Sequence, residues 1–236
     1  MSSSSALCSA TFVDPGYDHL VELVHQRDRV GHRRLESLEL ELYEPGGASL
    51  GRMAVDTRQE TLDLAALVAA RAPGIARVMV TFDARYDSRV FPYRPHHYAY
   101  LKLRDSPDPP LYYAVNATLG GVPDRIEAAT RQNNFETYIF LSRPAGERYG
   151  LRLGNLARFS SVEAQVITYH GEARGVLPVT LAPHEHADVQ LPLEREGARL
   201  RRVELKTLFR LASYVTGRRA DSGGLVLFDH LFTYFK

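Results

Sequence analysis

The strongest constraint on this 236-residue chain is that its second half repeats the pattern of its first half. The alternating stretch at residues 38–43 recurs at 164–169, and the glycine-led stretch at 51–55 recurs at 175–179. The offset stays near roughly 125 residues, as expected of two related modules. Further matching segments are 62–64 with 189–191, 77–80 with 202–205, and 96–102 with 230–236. A duplicated module is therefore predicted.

Within each module, apolar and polar residues alternate with a period of two. At residues 38–42 leucine alternates with glutamate, which is typical of a strand with one buried face and one solvated face. Turn signals such as the Glu-Pro-Gly-Gly of residues 44–47 separate short strands. The predicted fold is all-β, with two tandem antiparallel β-sandwich modules of about five to seven strands each.

Helix is scarce in the pattern. One short connecting helix is predicted at residues 123–132, because Pro123 suits a first turn and Asp124 suits the positive end of the helix dipole. A helical turn is predicted at 64–70, where alanine-rich sequence ends at Pro73-Gly74. The predicted domains are a first module at 12–105, a linker strand and helix at 106–134, and a second module at 135–236.

Composition excludes several partner classes. The net charge of +1 provides no field that would attract the chain to nucleic acid. No run of apolar residues is long enough to span a membrane, and the serine-rich residues 1–11 lack the features of a signal peptide. Cys8 is the only cysteine, so a cytoplasmic location is expected, with residues 1–11 as a loose terminus.

The most distinctive polar run is Arg85-Tyr86-Asp87-Ser88-Arg89, which is predicted to lie just past the end of a strand at 78–82. Guanidinium and carboxylate groups bind polar ligands through paired hydrogen bonds, and Phe91, Tyr93 and Tyr98 add aromatic surface. A salt-bridged loop would have the same composition. The predicted ligand-binding residues are Arg85, Asp87, Arg89, Tyr93, His96, Arg210 and His230.

The two modules differ chemically at this patch. Arg210 repeats Arg85 and His230 repeats His96, but Ala212 stands where the first module has Asp87. A function located on one module, or between the two, is therefore favoured over two equal sites.

The spacing of His184 and His186 would place two imidazoles on one strand face, as in metal sites of β-proteins. Glu194 or His170 could supply a third ligand. A solvated loop after Pro183 is the alternative interpretation. No nucleophile, phosphate-loop or dinucleotide motif occurs, so no cofactor is predicted.

The first half of the chain resembles the sensory rhodopsin transducer family. The features that carry the resemblance are the run at residues 85–89, the alternating strand at 38–43, the glycine turn at 46–47 and the strand at 78–82. The resemblance implies small, non-enzymatic β-sandwiches that associate as oligomers and are likened to carbohydrate-binding domains. This chain differs from the family in being a tandem and in carrying an additional segment at 111–132.

The sequence therefore predicts a non-catalytic binding or assembly protein that contacts a partner protein or a carbohydrate-like ligand. Two alternatives remain open: a metal-dependent or acid/base enzyme that uses His184 and His186, and a structural subunit of a larger assembly. A homo-oligomer is expected in the assembly case.

Overall fold

The protein is nearly all-β and divides into two compact units, Met1–Val122 and Pro123–Lys236. The predicted all-β fold class is confirmed, and every paired strand is antiparallel among the residues described. The computed structural model describes residues 4–23, 33–88, 97–119, 134–140, 146–209 and 211–233.

Nine strands and one helix form the described part of the first unit. They are β1 (Ser4–Val13), β2 (Tyr17–Glu22), β3 (Arg33–Tyr43), β4 (Ser49–Val55), β5 (Thr61–Asp63), α1 (Leu64–Arg71), β6 (Val78–Ser88), β7 (Tyr98–Leu103), β8 (Leu111–Ala114) and β9 (Asn116–Leu119). They make one sheet in the order β4-β3-β6-β1-β9 and a second in the order β5-β2-β7-β8.

Ten strands form the described part of the second unit. They are β10 (Asn134–Ile139), β11 (Glu147–Gly154), β12 (Val162–His170), β13 (Ala173–Leu181), β14 (His186–Gln190), β15 (Glu194–Arg195), β16 (Ala198–Thr207), β17 (Ala212–Arg219), β18 (Leu225–His230) and β19 (Phe232–Thr233). One sheet has the order β13-β12-β16-β10-β19, with β15 paired to β16, and the other has the order β14-β11-β17-β18.

Both units have the same strand order once the two-residue β15 is set aside. Counting strands from the start of each unit, each has a five-stranded sheet in the order 4-3-6-1-9 and a four-stranded sheet in the order 5-2-7-8. This shared order gives each strand of one unit a counterpart in the other, whatever the origin of the similarity.

The strand pairing changes two of the predicted correspondences. Residues 77–80 were expected to match 202–205, but Leu42 is opposite Val80 and its match Thr168 is opposite Val203, so Val80 matches Val203 and not Leu205. Residues 96–102 were expected to match 230–236, but β7 is the seventh strand of its unit, whereas β18 is the eighth of its own. The backbone N–H of Val115 donates to the carbonyl of His97, and the N–H of Leu231 donates to the carbonyl of Ser213. Ser213 is therefore the counterpart of His97, and β17 is the counterpart of β7.

Two further predictions about strands need correction. The stretch at 1–11 was expected to be loose, but Ser4–Val13 is β1, where both Cys8 and Phe12 are buried. Arg85 was expected past a strand end, but β6 continues to Ser88 and pairs Arg85 with Ala6. In each case pairing with a strand that is distant in the sequence makes the strand longer than the local sequence pattern predicts.

The predicted helical turn after β5 is confirmed as α1, Leu64–Arg71. Asp63 caps it, because its carboxylate accepts a hydrogen bond of 2.9 Å from the N–H of Ala66. Leu64 and Val68 are buried on one side of the helix. The predicted connecting helix at 123–132 lies outside the described residues, and residues 111–119, expected in the linker, form β8 and β9 of the first unit.

A hydrogen-bonded triad lies within the first unit. The Tyr113 hydroxyl is 2.6 Å from Thr11 Oγ1 and 2.6 Å from His19 Nε2, and all three residues are buried. In the second unit, one apolar cluster takes residues from both sheets, including Leu151 and Val203. No helix among the described residues is long and apolar enough to cross a membrane.

We expect Tyr113→Phe to lower the free energy of unfolding by about 1–3 kcal/mol, because it removes the hydroxyl that joins two buried polar groups. Urea unfolding of the purified protein measures this. Tyr112→Phe is the matched control, since Tyr112 is the neighbouring, exposed tyrosine of the same strand. Equal stability of the Tyr113→Phe variant and the wild type would contradict the role of the triad.

Candidate functional site

The predicted ligand-binding residues do not assemble into a described site. The side chain of Arg85 is exposed on β6 of the first unit, and Asp87 is described only as a backbone position of that strand. His230 lies at the end of β18 in the second unit. The other predicted residues lie outside the described part of the chain, and they are Arg89, Tyr93, His96 and Arg210.

The contacts of His230 are local. Its Nδ1 lies 3.2 Å from the carboxylate of Asp229, and its ring centre lies 4.9 Å from that of Phe232. These contacts describe a half-buried imidazole held by its chain neighbours.

The two histidines of the predicted metal site do not share a strand face. His184 precedes β14 and has a positive φ of 58°, whereas His186 is the first residue of β14 and is buried. Strand alternation therefore does not align the two imidazoles. Within the described residues, no group of three or more histidine, cysteine, aspartate or glutamate side chains could hold a metal ion.

The most distinctive surface lies on the four-stranded sheet of the first unit. Leu20 on β2, Tyr100 on β7 and Tyr112 on β8 are opposite one another in register, and Glu22 and Tyr98 form the adjacent row. We call these five residues the tyrosine face. Alternation places the intervening side chains on the other side of the sheet, where they are buried: Val21, Ala99, Leu101 and Tyr113.

Within the tyrosine face, the ring of Tyr112 contacts the other two aromatic rings. The ring centres of Tyr98 and Tyr112 are 5.3 Å apart with planes 9° apart, and those of Tyr100 and Tyr112 are 4.7 Å apart at 48°. Tyr112 keeps 53% of its surface exposed, Tyr100 keeps 37% and Leu20 keeps 43%. The result is a contiguous aromatic surface held in place by the rigid strands beneath it.

Glu22 gives the tyrosine face a negative charge. Loss of water around the ring raises the pKa of Tyr100, and the charge of Glu22 and its hydrogen bond with the hydroxyl raise it further. The pKa of Tyr112 is raised by the same loss of water and then by the charge of Glu22. Both hydroxyls therefore stay protonated at neutral pH, and that of Tyr100 donates to Glu22.

The second unit has an equivalent aromatic stack that is buried. Tyr214 is the counterpart of Tyr98, and Phe228 is the counterpart of Tyr112. Their ring centres are 4.6 Å apart with planes 20° apart, and Tyr214 is 0% and Phe228 3% exposed. The same strand positions thus carry a covered stack in one unit and an uncovered stack in the other.

A cation accompanies the buried stack. Arg152 stands opposite Tyr214, as Glu22 stands opposite Tyr98. The guanidinium carbon lies 5.6 Å from the ring centre of Phe228, and Nε lies 3.4 Å from Asp188 on β14. At this position the charge is therefore reversed between the two units.

A second exposed surface lies on the five-stranded sheet of the second unit. Ile139, Val176 and Phe232 are each about half exposed, and Lys206 lies over the ring of Phe135. Lys206 also lines a groove of about 440 Å³. Its polar lining residues are Glu163, Gln165, Thr180, Lys206 and Thr207.

Sequence reasoning missed the tyrosine face although Tyr98 was among the predicted aromatic contacts. The alternation Tyr98-Ala99-Tyr100 is visible in the sequence, but Leu20 and Glu22 join it only through pairing between β2 and β7. Tyr98 and Tyr214 match as aromatic positions of the two units only when β7 is aligned with β17.

No protein-family model matches this chain, and no curated protein matches its sequence. The resemblance to the sensory rhodopsin transducers therefore stays a prediction made from residues 85–89 and the neighbouring strands.

Proposed function

We propose that this protein is a non-catalytic binding protein that recognises a partner protein through the tyrosine face of its first unit. The observation that supports the proposal is the cluster of Tyr98, Tyr100 and Tyr112 on the outer side of a sheet, with two of its rings substantially exposed. Tyrosine is enriched where proteins bind one another, because it combines large apolar area, few rotatable bonds and one hydroxyl.

The arrangement of the rings favours a protein over a carbohydrate. The Tyr98 and Tyr112 rings lie nearly parallel and 5.3 Å apart, so each gives one face to the other and keeps only its second face for a ligand. Beside these faces the cluster offers ring edges, hydroxyl groups, the apolar side chain of Leu20 and the carboxylate of Glu22. This mixture suits the side chains of a protein segment.

The test is a selection from a random peptide library displayed on phage, with the whole chain as bait. Counter-selection uses a Tyr100→Ser, Tyr112→Ser variant whose fold is checked by circular dichroism and by its unfolding midpoint. We expect enriched peptides to bind the wild type at least about tenfold tighter than the variant, since central aromatic residues often cost more than about 1.4 kcal/mol.

The control variant is Phe159→Ser, which removes an aromatic side chain that is 68% exposed in the second unit. It should leave the affinity of the enriched peptides unchanged. Peptides that bind the wild type and the double tyrosine variant equally well would overturn the proposal. Binding of glycans but of no peptide would replace it with the carbohydrate alternative.

Self-association is a second candidate function, favoured by the apolar surface of the second unit. Ile139 and Val176 are 53% and 52% exposed on the outer side of its five-stranded sheet. The counterpart of Val176 in the first unit is Arg52, which pairs with Glu39 at 2.7 Å, so a charged side chain replaces the apolar one at that position. Charged residues of β16, among them Arg202 and Glu204, lie on the same side of the sheet between Ile139 and Val176. Exposed apolar side chains among charges are typical of an interface between copies.

Light scattering across a concentration series tests this candidate. We expect the wild type to form a dimer or larger species and Val176→Lys to shift it towards the monomer. Arg174→Lys, on the same strand and also exposed, is the control that should leave the size unchanged. A wild type that stays monomeric at all concentrations would remove this candidate.

A further inference from the structure

We propose that the group bound by the tyrosine face is the guanidinium of an arginine side chain on the partner protein. This inference rests on the proposed function and adds the chemistry of the ligand. Two equivalent places in the chain support it: Arg152 fills the place in the second unit, whereas no arginine among the described residues fills the place in the first.

The buried stack of the second unit is an internal template for the occupied state. There Arg152 lies over Phe228, at 5.6 Å from the ring centre, and its Nε lies 3.4 Å from Asp188. The guanidinium thus contacts an aromatic π face and a carboxylate together. Arg152 is only 2% exposed, so its guanidinium makes these contacts away from bulk water.

The tyrosine face has the aromatic stack and the anion but has no arginine at the equivalent strand position. Glu22 occupies the counterpart of Arg152, beside Tyr98 and near the hydroxyl of Tyr100. Two cations lie at the other end of the tyrosine face. Lys102 on β7 is opposite Asp18, and Arg104, just after β7, contacts Asp18 at 2.8 Å. Thr61 stands at the counterpart of Asp188, so the carboxylate of the first unit comes from the arginine's own strand position. An arginine from outside would therefore bring the same three kinds of group together: a guanidinium, a carboxylate and an aromatic stack.

Arginine fits these groups better than lysine does. Its planar guanidinium can lie on a tyrosine ring and still donate two parallel hydrogen bonds to one carboxylate. The ammonium of lysine is compact and more strongly hydrated, so it loses more on leaving water.

The test compares two blocked peptides of sequence Gly-Ser-X-Ser-Gly, in which X is arginine or citrulline. Citrulline has nearly the shape of arginine but no charge. Tyrosine ring signals of the whole chain are followed by NMR as each peptide is added. We expect the arginine peptide to shift the signals of the tyrosine face and to bind roughly five to ten times tighter than the citrulline peptide.

Two substitutions at one position sharpen the test. Glu22→Gln should reduce the affinity for the arginine peptide several-fold and leave that for the citrulline peptide unchanged. Glu22→Arg copies Arg152 and should abolish binding of the arginine peptide, because the new side chain occupies its place. Glu172→Gln, in the exposed turn after β12, removes the same charge elsewhere and should change nothing.

Equal affinity for the two peptides would overturn the inference. So would an equal loss with Glu172→Gln, because attraction by overall charge would then explain the binding. If library-selected peptides depend on Tyr100 and Tyr112 but show no preference for arginine, the proposed function stands and this inference falls. If no library peptide depends on those tyrosines, the proposed function itself falls.

Discussion

Asn155→Ala should lower the free energy of unfolding by about 2–4 kcal/mol, because the Asn155 side chain satisfies several buried groups together. Its Nδ2 donates to the carbonyls of Ser160, Leu181 and Ala182 at 2.8, 3.1 and 2.9 Å. Its Oδ1 accepts from the N–H of Ala157 at 2.9 Å, and the residue is 0% exposed. Alanine leaves these groups without their shared partner.

Asn155→Asp should cost more than Asn155→Ala at neutral pH. A carboxylate keeps the acceptor for Ala157 but places negative charge against the three carbonyl oxygens that now accept from Nδ2. Urea unfolding of both variants measures the difference. Gln190→Ala is the control, since the amide of Gln190 makes one hydrogen bond, to the carbonyl of Tyr149, from an exposed strand position. Equal costs for Gln190→Ala and Asn155→Ala would contradict this account.

Arg152→Glu should lower the free energy of unfolding by about 3–5 kcal/mol. Arg152 is 2% exposed over Phe228, and a carboxylate there would be buried against the negative face of an aromatic ring. It would also face Asp188, which lies 3.4 Å from the present guanidinium. Arg152→Met should cost less, because it keeps the apolar stem and removes the charge.

Arg148→Glu is the matched control for Arg152→Glu. Arg148 lies on the same strand and the same side of the sheet, but its side chain is exposed and stands opposite Arg218. The same reversal of charge there should change stability by less than about 1 kcal/mol. If the two variants unfold at the same urea concentration, burial of Arg152 against the aromatic stack does not matter for stability.

Local pattern predicted much of the fold. Alternation of leucine and glutamate identified the middle of β3, and the alanine-rich stretch before Pro73-Gly74 identified α1. Such features depend on residues close in the chain. The strand β1 was missed because its pairing with β6 joins residues more than 60 positions apart, as Val13 does with Val78, and composition near Met1 gives no sign of that partner.

The candidate site was harder to predict for the same reason. Glu22 and Tyr98 are adjacent only because β2 pairs with β7, and Tyr112 joins them through β8. The sequence repeat aligned residues 96–102 with 230–236, which hid the correspondence of Tyr98 with Tyr214. The run at residues 85–89 was prominent in the sequence, but the structure places Arg85 inside β6 and describes only part of that patch.

The central claim is that a partner protein covers the tyrosine face, and one NMR titration tests it most directly. The whole chain carries 13C-labelled tyrosine rings, and a library-selected peptide is added. Tyr→Phe variants assign the signals of the 13 tyrosines. We predict that Tyr98, Tyr100 and Tyr112 shift together while the buried Tyr149 and Tyr214 do not. Shifts confined to tyrosines outside the tyrosine face would contradict the account.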